Sequence, residues 1–290
     1  MDIRRVQKVS TGTFTISLPK KWAERHKVGA HTLLSMTESP SGSLVIKPQA
    51  DRTEERVPRL SDHRTLEESV IACYILGAPL VVLTGMTPDV RARALNVLQQ
   101  LPGYEITNET AATLTITCLL DEKTVKLFTL FDRLCALLKY GAELAVAGNL
   151  AAVQQNELEV NRNYFLCERI LTKASHDAAF LEQAGIPESR MIPSLQLLVK
   201  RLEHVGDALK ELPAKVPAQQ QKTLLLLVGV IVQAIQTLTA GKLAHADLAR
   251  RADLVKLRDH ETQPQLLFLF RTIEDLREEL ILLKLEMTAY

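Results

Sequence analysis

RRVQKVSTGTFTISLPKKWAERHKVGAHTLLSMTESPSGSLVIKP, residues 4–48, decides how this chain is read. Residues 3–9 suit a strand, with Ile3 and Val9 apolar and Arg4, Arg5 and Lys8 polar. Ser10-Thr11-Gly12-Thr13 marks a turn, because Gly12 adopts positive φ without a Cβ penalty. Phe14 to Leu18 alternates apolar and polar, the period of a half-buried strand. Pro19 suits the first position of a short helix over residues 20–27, where its missing N–H would have no partner anyway, and Gly29 is expected to stop it. Residues 33–36 and 44–46 read as a hairpin around Pro40-Ser41-Gly42-Ser43. Alone, the stretch has too few apolar positions for a core, so it must borrow one.

The rest of the chain is different in kind. The 290 residues allow two or three compact units. Hydrophobic residues make up 47% and charged ones 24%, the balance of an ordinary globular protein, and the scarcity of aromatics at 4% leaves Leu and Ala to fill a helical core. The net charge of +1 hides a split. Residues 1–50 hold eight Lys/Arg against three acids, whereas the remainder holds 27 against 31. A basic head on an acidic body points to nucleic acid at the head. Cys73, Cys118, Cys135 and Cys167 are widely spaced in apolar surroundings, which supports buried reduced thiols and neither a zinc site nor a disulfide framework. The N-terminus lacks the apolar core of a signal peptide. Residues 223–241 carry no charge, but their apolar run ends at Val232, so burial in a bundle is expected rather than membrane insertion, and the location expected is cytoplasmic.

Residues 49–62 read as a charged linker without periodicity. Ser61 or Asp62 is placed to cap a helix running to Leu76 and stopping at Gly77. Residues 80–83 follow as a buried strand, then Thr87-Pro88 starts a helix to Leu101, and residues 104–107 and 113–118 complete a small αβαββ unit. From Asp121 strand signals vanish. Helices are expected at about 122–147, 149–183, 190–212, 221–242, 244–260 and 264–287. Two stripes at spacings of three and four mark core-facing seams of an antiparallel bundle: Ile192, Leu195, Val199, Leu202, Val205, Leu209 and Leu212, then Leu266, Phe270, Ile273, Leu276, Leu280, Leu283 and Met287.

On its strand RRVQKV, its turn STGT, its strand FTISLPKKW, the helix end at Val28-Gly29 and the closing hairpin, the head resembles the AbrB/MazE/SpoVT swapped-hairpin DNA-binding domain. That resemblance implies two chains interleaved into one β-barrel, with Ile16, Leu18, Val28, Leu33, Leu34, Val45 and Ile46 as shared core. It also implies double-stranded DNA on a basic face, with Arg4, Arg5, Lys8, Lys20 and Lys21 as contacts. Such contacts neutralise phosphates and release counterions, so affinity should fall steeply with salt. Trp22 is expected to anchor the barrel core.

The body resembles the PhoU phosphate-uptake regulators, carried by ELEVNRNYFLCER (157–169) and LEHVGDALKEL (202–212). The mark is Glu/Asp-x-x-x-Asp on facing helices. Glu203 and Asp207 match it; Glu157 is followed by Asn161 in place of Asp. Residues four apart share a helix face, so both pairs can turn toward one cation. The resemblance implies metal ions, iron or zinc, on Glu157, Asn161, Glu203 and Asp207. It also implies a transporter ATPase or signalling protein as partner. His204 points about 100° away from Glu203 and is not counted as a ligand. The last helix offers Phe270 and Glu274 where a second acidic pair is sought. No Gly-rich phosphate loop or nucleophile motif is present, so no enzyme is expected. The expected fold class is α+β, mostly α: a swapped-hairpin barrel half over 1–50, a linker with the αβαββ unit over 51–120, and a PhoU-like antiparallel helical bundle over 121–290. The expected function is a homodimeric transcriptional regulator of phosphate homeostasis, with a transporter-docking adaptor that binds no DNA, or a metal-sensing bundle, as the alternatives.

Overall fold

The computed structural model describes residues 3–9, 12–38, 42–48, 57–240, 258 and 261–288. The chain forms two units, 1–55 and 56–290. In the first, β1 (Gln7–Lys8) pairs antiparallel with β2 (Phe14–Thr15), and β3 (Leu34–Glu38) with β4 (Leu44–Pro48). The first pair is shorter than its sequence pattern, only two residues on each side, all four of them exposed; a two-stranded hairpin without a packed layer is marginal in water. Between the hairpins lies α1 (Lys20–Arg25), with Pro19 in extended conformation just before it. The helix stops earlier than Gly29. Lys27 takes the left-handed conformation at φ 52°, and the Val28 N–H reaches back to the Ala23 carbonyl at 2.8 Å, closing the last turn.

The second unit opens with a four-stranded sheet. The segment expected as linker contains β5 (Arg59–Leu60), which lies parallel to β6 (Leu80–Thr84) across α2 (Leu66–Ile75). Then come α3 (Pro88–Leu98), β7 (Tyr104–Glu109) and β8 (Thr113–Cys118), giving the strand order β5-β6-β8-β7. Val81, Leu83, Leu114 and Ile116 point to one face and bury against Leu66, Val70, Tyr74, Val90, Ala94 and Val97 of the two helices. Thr87 caps α3, its hydroxyl accepting the Val90 N–H at 3.2 Å, as its position before Pro88 predicts. Asp62 does not cap α2; its carboxylate is drawn to the Arg64 side chain and N–H instead.

The bundle consists of α4 (Leu127–Val146), α5 (Leu150–His176), α6 (Ala178–Gln183), α7 (Ile192–Lys210), α8 (Ala218–Thr239) and α9 (Pro264–Thr288). The helix expected over 149–183 breaks at Asp177, whose side chain accepts the N–H groups of Ala179 and Phe180 and starts α6 afresh. The helix expected at 244–260 and the side chain of Met287 lie outside the described residues. Both apolar stripes are buried, from Ile192 to Leu212 and from Leu266 to Leu283. Helix α8 is long and apolar enough to cross a membrane, and one face of it (Leu224, Leu227, Val228, Ile231, Ile235) joins the core with α4 and α9. The four cysteines are free; Cys135 and Cys167 are buried, and burial pushes the Cys135 thiol up to about 12.

The sheet layer and the bundle are locked together through α5. Arg169, 1% exposed, pairs with the buried Glu122, which also pairs with Lys173. The Arg169 guanidinium donates to the Tyr74 carbonyl at the end of α2 (2.5 Å) and the Ala78 carbonyl (3.3 Å), and it lies 4.8 Å from the Tyr74 ring. Seven residues earlier on the same helix, Arg162 donates to the Gln99 carbonyl at the end of α3. Two arginines on one face of α5 thus satisfy carbonyls at the C-termini of both sheet-layer helices, where the helix dipole favours a cation.

Candidate functional site

Two places carry the residues that the sequence singles out. In the head, Arg4, Arg5, Lys8, Lys20 and Lys21 are all exposed. Lys8 stands on β1 with its ammonium 5.9 Å from the Phe14 ring, and Lys20 lies 3.8 Å from Glu24 one turn along α1. The core assigned to this unit is open. Leu18, Val28, Leu34, Val45 and Ile46 are half-buried, while Ile16 is 51% and Leu33 69% exposed. Trp22 is half-buried too, its ring 5.0 Å from that of His26. Among the described residues of the head none is buried, and Ile3, Val6, Phe14, Met36 and Leu44 are exposed as well.

In the bundle, α5 and α7 pack side by side and bring Glu157, Asn161, Glu203 and Asp207 into one cluster. Gly206 makes this approach possible: a Cβ there would stand 2.9 Å from Val160 Cγ1. Glu157 is buried, and its Oε1 accepts from Asn161 Nδ2 at 2.7 Å and from Lys210 Nζ at 3.1 Å. Asn161 Oδ1 is buried without a partner among the described residues, since turning the amide round would set oxygen against carboxylate. Glu203 Oε2 accepts from Lys200 Nζ at 2.9 Å. His204, set aside as a ligand from its helical angle, has Nε2 at 3.6 Å from the same oxygen. Burial, then the Glu203 and Glu157 charges, hold the Asp207 carboxyl above the usual carboxylate range, against the pull of Lys210 and His204.

A second acidic pair exists on the last helix, five positions beyond Phe270 and Glu274. Asp275 and Glu279, four apart on α9, both meet Arg201 of α7, at 2.9 and 3.2 Å. Glu279 is buried, and its Oε2 has no partner among the described residues; burial raises its carboxyl. Sequence spacing could have shown Lys200, three residues before Glu203. It could not have shown Lys210 against Glu157 or Arg201 against α9, which meet only once the helices pack. Among the described residues no three His, Cys, Asp or Glu side chains are arranged to hold a metal ion.

Compared with family models, with curated proteins and with solved structures, the chain matches none.

Proposed function

We propose that this protein is a dimeric, DNA-binding transcriptional regulator of phosphate uptake. In this reading the head binds double-stranded DNA, and the PhoU-like bundle receives the signal or docks a transporter ATPase or signalling protein, in the cytoplasm and without membrane insertion. One observation carries it. The head places exposed Arg4, Arg5, Lys8, Lys20 and Lys21 on a unit with no buried side chain among its described residues. Basic side chains on a half-core fit a domain completed by a second copy, whose doubled charge then faces phosphate. The test is a gel shift on genomic fragments over a salt series. Binding should weaken steeply with salt. Arg4→Ala with Arg5→Ala should weaken it further, leaving the dimer intact, and should lower the salt slope by about one for each phosphate that is no longer neutralised. No binding at low salt would sink this reading.

A second reading, an adaptor that docks on a transporter without touching DNA, is favoured by the apolar side chains left open on α7 and α9: Leu197, Ile281, Leu282 and Leu285, each about half exposed. Binding of purified transporter ATPase by full-length protein that binds no DNA would select it.

A further inference from the structure

We infer that the acidic helix pairs of the bundle are served by the protein's own basic side chains, and that they take no divalent metal. The inference rests on the PhoU-like reading, which is what makes metal the expectation at Glu157, Asn161, Glu203 and Asp207. The donor set does not fit that expectation. Glu157 Oε1 already accepts from two donors, Asn161 Nδ2 at 2.7 Å and the Lys210 ammonium at 3.1 Å. Glu203 Oε2 holds the Lys200 ammonium at 2.9 Å. Asn161 gives its N–H to Glu157, and its Oδ1, buried without a partner among the described residues, is a lone neutral acceptor that adds no charge to hold a dication. Three carboxylates therefore face two ammonium groups, both carried by α7. A dication arriving at about 2 Å from these oxygens would have to displace both ammoniums and then sit beside them, like charge against like.

The same solution recurs on the other side of α7. Asp275 and Glu279 have the one-turn spacing that would serve a cation, and Arg201 occupies it, reaching both at 2.9 and 3.2 Å. Lys200, Arg201 and Lys210 are thus the resident cations of both pairs, and all three stand on one helix. Helix α7 ties α5 to α9 by charge as well as by its apolar stripe. The bundle's response, on this inference, is set by what docks on it and not by metal occupancy.

The experiment is calorimetric titration of the full chain with ZnCl2, with MnCl2, and with Fe2+ under anaerobic conditions. It runs in parallel on wild type, on Lys200→Met/Lys210→Met, and on Glu157→Gln/Asp207→Asn. Wild type is expected to show no saturable site below about 10 μM at this cluster. The double Met variant, with the ammoniums gone and the carboxylates kept, is expected to gain a site at least tenfold tighter. If that variant unfolds without metal, recovery of its helical circular dichroism on adding Zn2+ or Mn2+ counts for the inference, and failure to recover counts against it. A wild-type site below about 10 μM that Glu157→Gln/Asp207→Asn abolishes would overturn it. Wild-type binding that survives that substitution but is abolished by Asp275→Asn/Glu279→Gln would overturn the inference equally, and binding that survives both lies outside the acidic pairs and leaves it standing. Because the titration reads metal directly, it is independent of the gel shift: loss of DNA binding would defeat the proposed function without touching this result.

Discussion

The head and the body of this protein solve the same problem in opposite ways. Both are made of apolar residues at regular spacings, yet the body buries dozens of them and the head, among its described residues, buries none. The difference is one of length and layering. From Arg59 to Leu283 the chain supplies a sheet with helices on one face and a bundle whose stripes meet each other. Residues 3–48 supply two short hairpins and a six-residue helix, with no second layer among the described residues. Small units that cannot bury enough surface need help from outside, here a second copy on the reading proposed above.

The sharpest way to break that contrast is Arg169→Met. It removes the guanidinium that joins Glu122 to the ends of the sheet-layer helices, and it leaves a buried carboxylate with Lys173 alone. Urea unfolding should show the body losing about 3 kcal/mol, because removing one partner of a buried pair strands the other, while the oligomeric state stays as in wild type. An unchanged body would mean that Arg169 does not join the two layers. Phe14→Asp tests the other half. It places a charge on the open apolar face of the head and should cost about 2 kcal/mol of association per chain, read by sedimentation over a concentration series. The unfolding of the body should move by less than about 0.5 kcal/mol. A dimer that survives the change would show that this face is not the interface.

The smallest effect is expected at Asp207. Its folded pKa lies above its unfolded value, so the folded state holds the proton more tightly and stability falls as pH rises through that window. Above the window an ionised Asp207 is a burden. Asp207→Asn should therefore raise the melting temperature at pH 7, and its advantage should shrink as the pH falls through the raised folded pKa into the ordinary carboxylate range, because the native carboxyl takes up its proton before an unfolded one does. An advantage that does not change with pH would place the effect in packing instead of charge.

Much of the architecture was legible in the residues. The stripes from Ile192 to Leu212 and from Leu266 to Leu283 are buried as their spacing requires, because helix periodicity is a local property. Thr87-Pro88 and Gly77 start and stop helices for equally local reasons. Two readings failed where a local signal lost to a competing one. Residues 59–60 look like linker, and only pairing with Val82 and Leu83 makes them a strand. Asp62 looks like a cap, and Arg64 takes its carboxylate. The acidic cluster was half legible: spacing set each pair on one helix face, and the facing of the two helices, which brings Glu157, Asn161, Glu203 and Asp207 together, was implied only by the PhoU resemblance. Of their counter-ions only Lys200 stands within local reach, three residues before Glu203; Lys210 reaches Glu157 from 53 positions further along the chain.

By itself the sequence determined the charge split, the helical stripes, the turn glycines and the shortage of core in residues 4–48, since each depends on composition or on neighbours a few positions apart. Only the tertiary structure decided which bases stand on which acids. Lys210 on Glu157, Arg201 on Asp275 and Glu279, and Arg169 on Glu122 are pairings between elements. Nothing local selects among the chain's 35 basic residues; the choice follows from which helices pack and which side chains the packing removes from water.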